Sequence, residues 1–176
     1  MTARRRLRAA PVAAMLAGVG LIAIPAVAGW QPQIIWNASA SVPLGLYIAT
    51  PADDIALADL VLVHPPETLA AFLAERGYVT RGVPLLKYVA ALAPQVVCAA
   101  GHTITVDGET IAHRRGADRL GRALPAWHGC HRLESGQVFL LNTAEPDSLD
   151  GRYFGPLPRT SIAARLRPVW ITERRL

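Results

Sequence analysis

A run of about 20 uncharged and largely apolar residues near the N-terminus, Ala9–Ala28, most limits what this chain can become. Such a run can cross a bilayer as a helix. Arginines precede it, and positively charged flanks favour the cytoplasmic side, so everything after about Gly29 is predicted to lie outside. Trp30 and Trp36 suit the outer membrane–water interface. We expect a cytoplasmic stub and anchor over residues 1–29 and an exported domain over residues 30–176.

A cleaved secretory signal is the alternative, because Ala26-Val27-Ala28 is typical of a small-residue cleavage site. The apolar run is longer than the usual signal core of about 7–15 residues, which favours a retained anchor. Both interpretations predict export.

The formal net charge of +5 depends strongly on Arg4, Arg5, Arg6 and Arg8, which stand before the apolar run. Without these four arginines the rest of the chain is close to neutral. A nucleic-acid-binding domain needs a basic face on its folded part. We therefore expect no nucleic acid among the partners, and we interpret the arginines as a topology signal.

After the apolar run, short apolar segments alternate with turns. Leu60–Val63, Leu85–Leu92 and Gln137–Leu141 predict buried strands, and Asp107-Gly108 predicts a hairpin turn. Pro66–Arg76 has helical spacing. Fourteen prolines also favour strands and turns over a helical bundle. The pattern predicts a mainly β domain with one or two helices.

The two cysteines, Cys98 and Cys130, flank or lie within a polar excursion over His113–His131. In an exported domain a lone pair is usually a disulfide. The alternative is a metal site that adds His128 and His131, but no paired ligand spacing supports it. We expect a disulfide and neither a metal nor a cofactor, although the sequence leaves the redox state open.

A first chemical candidate is the serine-rich segment that follows the anchor. Ser39 and Ser41 stand two apart in what we expect to be an extended segment, which would put both hydroxyls on one side. Pro43 fixes its own φ, and Gly45 permits a turn that other residues resist. The plain alternative is an ordinary serine-rich turn.

A second candidate is Lys87, the only lysine in the chain, which stands inside the apolar run Leu85–Leu92. Burial disfavours the ammonium form and lowers the pKa of a lysine. Such an amine can take a proton from a serine hydroxyl, whereas arginine stays protonated. The alternative is a lysine on an edge strand that extends its amine into water.

A third candidate is the loop that follows the strand ending at Leu141. Asp150 and Arg152 can pair as carboxylate and guanidinium, and Ser148 can bond a nearby amine. The alternative is a solvated turn.

These three segments, in this order after an anchor, resemble signal peptidase I, and most closely its conjugative-transfer branch, the TraF-type peptidases. Ser41–Tyr47 resembles the nucleophile motif of that branch, serine–x–proline–x–glycine–x–tyrosine. Leu86–Val89 resembles the lysine box. Ser148–Gly155 resembles the last box, serine–x–aspartate–x–arginine–aromatic–aromatic–glycine. The resemblance implies the β-rich signal peptidase I fold.

The resemblance also implies roles for the candidate residues. Ser41 would be the nucleophile, and Lys87 the general base that takes its proton. The hydroxyl of Ser39 and the backbone N–H of Ser41 would form the oxyanion hole.

The remaining matched residues would support this pair. Ser148 would orient the lysine, and Asp150 with Arg152 would form a structural ion pair. A disulfide between Cys98 and Cys130 is compatible with the family.

Three departures from the family pattern affect loops rather than the serine and the lysine. Ala93-Pro94-Gln95 stands where the lysine box usually continues as proline–glycine–aspartate. Asn142-Thr143-Ala144 replaces the usual glycine–aspartate–asparagine, and Gly151 replaces the usual serine.

The resemblance therefore predicts a serine endopeptidase of the bacterial inner membrane, with its N-terminus in the cytoplasm and its catalytic domain in the periplasm. Its substrate would be a conjugative pilin precursor, cut with or without ring closure. A mating or secretion apparatus and membrane lipid would be its partners. A general signal peptidase and a catalytically inactive scaffold of a secretion system are the alternatives. A histidine-based hydrolase is a weaker one, because no triad motif surrounds any of the histidines: His64, His102, His113, His128 and His131.

Overall fold

The computed structural model describes residues 11–20 and 34–172 of the chain. The chain divides into two compact units, Met1–Pro32 and Gln33–Leu176. In the first unit, residues 11–20 form a helix, α1. Within the described residues, no helix combines the length and the apolar character needed to cross a bilayer. The predicted anchor, Ala9–Ala28, extends at both ends beyond the described residues, and Trp30 also lies outside them. The anchor therefore stays a prediction.

The second unit is built mainly from short strands, as the sequence predicted. The described strands are β1 (Ile34–Asn37), β2 (Gly45–Thr50), β3 (Leu60–Val63), β4 (Leu85–Leu92), β5 (Val96–Ala100), β6 (Thr103–Val106), β7 (Glu109–His113), β8 (Gly129–Arg132), β9 (Gln137–Leu141), β10 (Leu157–Pro158) and β11 (Ile162–Ile171). Two helices accompany them, α2 (Glu67–Glu75) and the four-residue α3 (Gly151–Phe154). A 3₁₀ turn, Arg159–Ser161, precedes β11.

The strands form two antiparallel sheets. The larger sheet has the order β1-β2-β11-β3-β4-β9-β10, and the smaller one has the order β7-β6-β5-β8. The described strand β11 lies between β2 and β3, so it joins the N-terminal hairpin to the rest of the large sheet. This order determines which segments meet at the site.

The central strands of the large sheet are apolar on both faces because both faces are covered. In β3, Leu60 and Leu62 pack into one cluster with Leu86 of β4. Val61 and Val63 of the same strand pack into another cluster. A continuous apolar run of four residues thus became a fully buried strand, which is what its pattern predicted.

The small sheet carries the cysteine pair. Cys98 of β5 and Cys130 of β8 are register partners, and their sulfurs are joined at 2.10 Å. The polar excursion ends earlier than the predicted His113–His131, because Gly129–Arg132 pairs with β5 as strand β8. The segment 114–128 remains outside strands, apart from one bridge between Ala117 and Ala123.

An exposed apolar patch covers part of the β1, β2 and β11 end of the large sheet. Trp36 stacks on Trp170 with 6.0 Å between the ring centroids, and each indole is more than half exposed. Ile34 of β1 and Ile48 of β2 are exposed register partners at the same end of the sheet. Clustered exposed aromatic side chains of this kind mark interaction surfaces.

Candidate active site

The turn between β1 and β2 is organised by Asn37, the buried last residue of β1. Its Nδ2 donates to the backbone carbonyls of Ser39, Val42 and Pro43 at 2.9, 3.1 and 3.0 Å. Its Oδ1 accepts from the backbone N–H of Ser39 at 3.0 Å. The expectation of an extended segment is therefore wrong. Residues 38–44 form a closed turn, because the asparagine amide satisfies backbone groups that strand pairing would otherwise use.

The proline, glycine and tyrosine that follow the serines each have a physical role in this turn. The hydroxyl of Tyr47 donates to the carbonyl of Pro43 at 2.6 Å. Gly45 has a φ of +153°, and a Cβ there would lie 2.1 Å from the carbonyl oxygen of Trp170. Strand β11 therefore approaches β2 closely only because this residue lacks a side chain.

The hydroxyls of Ser39 and Ser41 lie 3.1 Å apart. The hydroxyl of Ser39 donates to Oδ1 of Asn37 at 2.8 Å, which uses its single proton. The proton between the two serines therefore belongs to Ser41, and Ser39 accepts it. The two hydroxyls are side by side, as their spacing predicted, although the backbone that achieves this is a turn.

Lys87 lies in β4, an interior strand between β3 and β9, and only 5% of it is exposed. An edge-strand lysine reaching into water is thereby excluded. Its Nζ donates to the hydroxyl of Ser148 at 2.6 Å. Burial lowers the pKa of the Lys87 ammonium to about 8, a shift that the charge of Asp150 opposes and that of Arg152 reinforces. About a tenth of such amines are uncharged at pH 7.

The loop that carries Ser148 is wrapped around a buried ion pair. Nη2 of Arg152 lies 2.8 Å from Oδ2 of Asp150, and both side chains are almost fully buried. The same nitrogen donates to the carbonyls of Asn142 at 3.0 Å and of Glu145 at 2.7 Å. A buried ion pair is stable when further hydrogen bonds satisfy its remaining atoms, as they do here. The pair fixes the loop and hence Ser148.

These side chains face a common cavity of about 960 Å³. Ser39, Ser41, Lys87 and Ser148 all line it. Further lining residues come from the end of α2 and from segment 114–128: Leu73, Arg76, Tyr78, Arg115, Ala117, Asp118, Arg119, Leu120, Arg122 and Leu124. The cavity is large enough for several residues of an extended peptide.

The part of the cavity wall formed by the end of α2 and segment 114–128 is held together by polar contacts. Arg76 donates to the carbonyl of Ala123 at 2.6 Å, and the hydroxyl of Tyr78 donates to Asp118 at 2.5 Å. Asp118 also pairs with Arg122 at 2.7 Å. Segment 114–128 is thereby attached to the end of α2.

The structure brings the predicted site residues together with one contact missing. The Ser41 hydroxyl bonds Ser39, and the Lys87 amine bonds Ser148. Among the described residues, no hydrogen bond joins that hydroxyl to that amine directly. Hydrogen bonds of a proton-transfer pair are often long without substrate and shorten when it binds. Cys98 and Cys130 do not line the cavity.

The sequence motifs assign no chemical role to two asparagines at this site. Asn37 organises the serine turn, and Asn142 donates from Nδ2 to the backbone carbonyl of Ser41 at 2.8 Å. An asparagine two residues before a serine is a known turn signal, so Asn37 could have been found. Asn142 could not, because its contact spans 101 residues of sequence.

Comparisons with known proteins show which family the chain belongs to. The profile of the family described as "Signal peptidase, peptidase S26" matches residues 7–171. The chain belongs to the peptidase S26 signal peptidase family. This confirms the resemblance inferred from the three motifs, and it supports a peptidase.

The similar curated proteins come from conjugal transfer systems. The chain is 31% identical to "Plasmid transfer protein TraF" of Escherichia coli over 176 residues, covering 94% of this chain and 97% of that one. It is 33% identical to "Probable conjugal transfer protein TraF" of Sinorhizobium fredii over 171 residues, covering 92% and 90%. "Conjugal transfer protein TraF" of Agrobacterium tumefaciens is 35% identical over 151 residues, covering 76% and 80%. This S26 family member is thus related to TraF proteins of conjugal transfer.

Among solved structures, a signal peptidase I from Enterococcus faecalis matches with a TM-score of 0.39 and 16% sequence identity. The match covers 66% of this chain and all of that one. The family assignment rests on the sequence comparisons.

Proposed function

We propose that this chain is a membrane-anchored serine endopeptidase in which Ser41 and Lys87 act as nucleophile and general base. The observation that carries the proposal is the state of Lys87. The only lysine of the chain is buried at 5% exposure, bonds a hydroxyl rather than a carboxylate, and lines the same cavity as Ser41. A buried amine with a pKa near 8 is suited to accept a proton at neutral pH.

In the first step, binding of the substrate turns the Ser41 hydroxyl from Ser39 toward the amine of Lys87. The amine takes the proton, and Oγ of Ser41 attacks the carbonyl carbon of the scissile peptide bond. Ser148 keeps the amine directed into the cavity, since its hydroxyl already accepts a hydrogen bond from Nζ.

The resulting oxyanion is stabilised by the backbone N–H of Ser41 and the hydroxyl of Ser39. Each such donor typically contributes about 3–4 kcal/mol in the transition state. Ser39 must leave Oδ1 of Asn37 to donate, and Asn37 retains the backbone N–H of Ser39 as a partner. The protonated Lys87 then gives its proton to the leaving amine, and the acyl group stays on Ser41 until water or another amine accepts it.

The substrate that we propose is the precursor of a conjugative pilin, because the similar proteins are named for plasmid and conjugal transfer. Transfer of the acyl group to the amino terminus of the same pilin would close a ring, whereas water would release a linear product. A mating or secretion apparatus would be the partner that receives the product.

We propose that the chain sits in the bacterial inner membrane with its catalytic domain in the periplasm. The arginines before the apolar run and the Cys98–Cys130 disulfide favour this location. The stacked Trp36 and Trp170 would rest at the membrane surface. Vesicles with brominated acyl chains should quench the tryptophan fluorescence of the full chain by a larger fraction than that of its Trp36→Phe, Trp170→Phe variant. Equal fractional quenching would exclude this contact.

The function is tested by incubating the full chain, reconstituted in membranes, with two precursors. One is a conjugative pilin precursor, and the other is an ordinary secretory precursor with alanine at the first and third positions before the cut. We expect the pilin precursor to be cut faster, and Ser41→Ala and Lys87→Ala to abolish cutting. Mass spectrometry of the product distinguishes a linear from a ring-closed chain.

The alternatives give different results in the same experiment. Equal cutting of both precursors would identify a general signal peptidase. A Ser41→Ala variant that cuts like the wild type would exclude catalysis through this serine. An inactive scaffold would be identified if the wild type cut neither precursor and if the wild type and the Ser41→Ala variant supported mating equally.

A further inference from the structure

Asn142 occupies a point where the two halves of the candidate site meet. It directly follows β9, the neighbour of β4, and only 2% of it is exposed. Its backbone N–H donates to Oδ2 of Asp150 at 3.0 Å, and its carbonyl accepts from Nη2 of Arg152 at 3.0 Å. The buried ion pair thus holds the backbone of Asn142 on both sides.

The side chain of Asn142 extends from this fixed backbone to the two segments of the proposed dyad. Nδ2 donates to the carbonyl of Ser41 at 2.8 Å. It also lies 3.4 Å from the carbonyl of Leu86, the residue before Lys87. One primary amide has two hydrogens, so it can serve both carbonyls.

The sheet offers no comparably short connection between these two segments. Ser41 belongs to the turn that leads into β2, whereas Lys87 lies in β4. The described sheet runs β2-β11-β3-β4, which puts two strands between them. The amide of Asn142 therefore joins directly what the sheet joins only through two further strands.

Within the part of the chain that the structure describes, the amide oxygen of Asn142 makes no comparable contact, so the function of this side chain depends on the hydrogens of Nδ2. Oδ1 is buried and has no hydrogen-bond partner among the described residues. A buried acceptor without a partner typically costs about 1–3 kcal/mol. An apolar side chain of similar size would avoid that cost, so the hydrogen bonds donated by Nδ2 are what an asparagine contributes at this position.

We propose that Asn142 is a positioning residue that sets the separation between the Ser41 hydroxyl and the Lys87 amine. This inference rests on the proposed serine–lysine chemistry. It also extends the role of the Asp150–Arg152 pair, because this pair fixes the backbone of Asn142, and Asn142 in turn holds the backbone of Ser41.

The test compares the full chain with Asn142→Leu, which keeps the size of the side chain and removes both donors. Val138→Ala is the matched control, because it shortens a fully buried residue of β9 that does not line the cavity. Ser41→Ala reports on the proposed function itself. The probe is a fluorogenic peptide with alanine at the first and third positions before the cut. The ε-carbon resonance of ¹³C-labelled lysine, which is single because the chain has one lysine, gives the Lys87 pKa directly.

For Asn142→Leu we expect kcat to fall between about tenfold and a hundredfold, since a displacement of 1 Å has effects of this size. KM should stay within about twofold and the Lys87 pKa near that of the wild type, as with Val138→Ala. An unchanged kcat would overturn the inference. A lower kcat with the lysine pKa returning to its ordinary value would also overturn it, because the site would then have collapsed. If Ser41→Ala cuts the probe like the wild type, the proposed function fails, and this inference fails with it.

Discussion

At the scale of single residues, the proposed chemistry depends on Lys87. Every other cationic side chain except histidine is an arginine, which cannot release its proton. Among the lysine and arginine side chains, only Lys87 can therefore act as a base, and it lies inside an interior strand. Its amine meets a hydroxyl, not a carboxylate, so no neighbouring anion bonded to it holds the proton in place.

The titration of Lys87 should be visible both in its NMR resonance and in the pH dependence of activity. The ε-carbon resonance of the single labelled lysine should titrate near pH 8, and kcat/KM should rise with pH through the same range as the amine loses its proton. A resonance that titrates above pH 10 would contradict the proposed base.

Ser148→Ala removes the hydroxyl that accepts the hydrogen bond of the Lys87 amine, and we expect kcat to fall about tenfold or more.

Replacement of Lys87 by methionine should stabilise the fold near neutral pH. The folded-state pKa is lowered from 10.5 to about 8, so below pH 8 the folded protein holds a buried charge, which corresponds to about 3 kcal/mol. Loss of the Ser148 hydrogen bond offsets about 1 kcal/mol of that gain. We expect Lys87→Met to raise the free energy of unfolding by about 2 kcal/mol at pH 7.

The sign of this effect follows from proton uptake. Between pH 8 and 10.5 the unfolded chain binds the proton more strongly, so the wild type gains stability as pH rises through that range. The advantage of Lys87→Met should therefore shrink from pH 8 to 10.5. Denaturant unfolding at pH 7 and pH 10 measures it, and a difference that grows with pH would contradict the buried-charge explanation.

At the scale of elements, the start of α3 explains one departure from the family pattern. A Cβ on Gly151 would lie 2.6 Å from Cε2 of Phe139 and 2.7 Å from the carbonyl of Leu140. The ring of Phe139 thus fills the space that a serine would need, and the glycine allows α3 to pack directly against β9. The glycine at this position is therefore explained by the packing of α3 against β9.

Restoring the usual serine should therefore harm this protein. Gly151→Ser forces α3 away from β9, and we expect its melting temperature to fall by several degrees, with kcat reduced because Asp150 and Arg152 shift together. Thermal unfolding and probe cleavage measure both effects. Gly116→Ser is a suitable control, since the nearest atom to its Cβ is 4.0 Å away. A Gly151→Ser protein as stable as the control would contradict this packing argument.

The elements also separate what the sequence predicts well from what it does not. Apolar runs such as Leu60–Val63 predict their own strands, because a strand buried on both faces needs little more than that pattern. The turn over residues 38–44 was wrongly expected to be extended, because its shape depends on hydrogen bonds from the side chain of Asn37. Local apolar pattern does not encode such bonds.

At the scale of the whole molecule, the candidate site depends on strand order. The motifs identified Ser41, Lys87 and Ser148 one at a time, and only the family resemblance predicted that they belong together. Strand pairing decides that Lys87 is interior and that Asn142 reaches Ser41 across 101 residues. Contacts at such separations have no periodicity along the chain, which is why Asn142 was missed.

The disulfide should act on substrate binding through the cavity wall. Segment 114–128 lines the cavity and leads into β8, where Cys130 is bonded to Cys98, 32 residues away in sequence. Removing the bond with Cys98→Ser and Cys130→Ser should lower stability by roughly 3–4 kcal/mol in the chain-entropy estimate. We also expect KM to rise severalfold while kcat is retained, since the serine and lysine lie on other segments. A fall in kcat at constant KM would contradict this separation of roles.

The place of β11 in the large sheet has a consequence for the timing of activity during synthesis. Its Arg165 pairs with Thr50, 115 residues earlier, and the same strand separates β2 from β3. We therefore expect a growing chain that contains Ser41, Lys87 and every motif up to Gly155, but lacks β11, to be inactive. A chain ending at Arg159 should have no activity on the probe, and cleavage by it would show that the two halves assemble without their connecting strand.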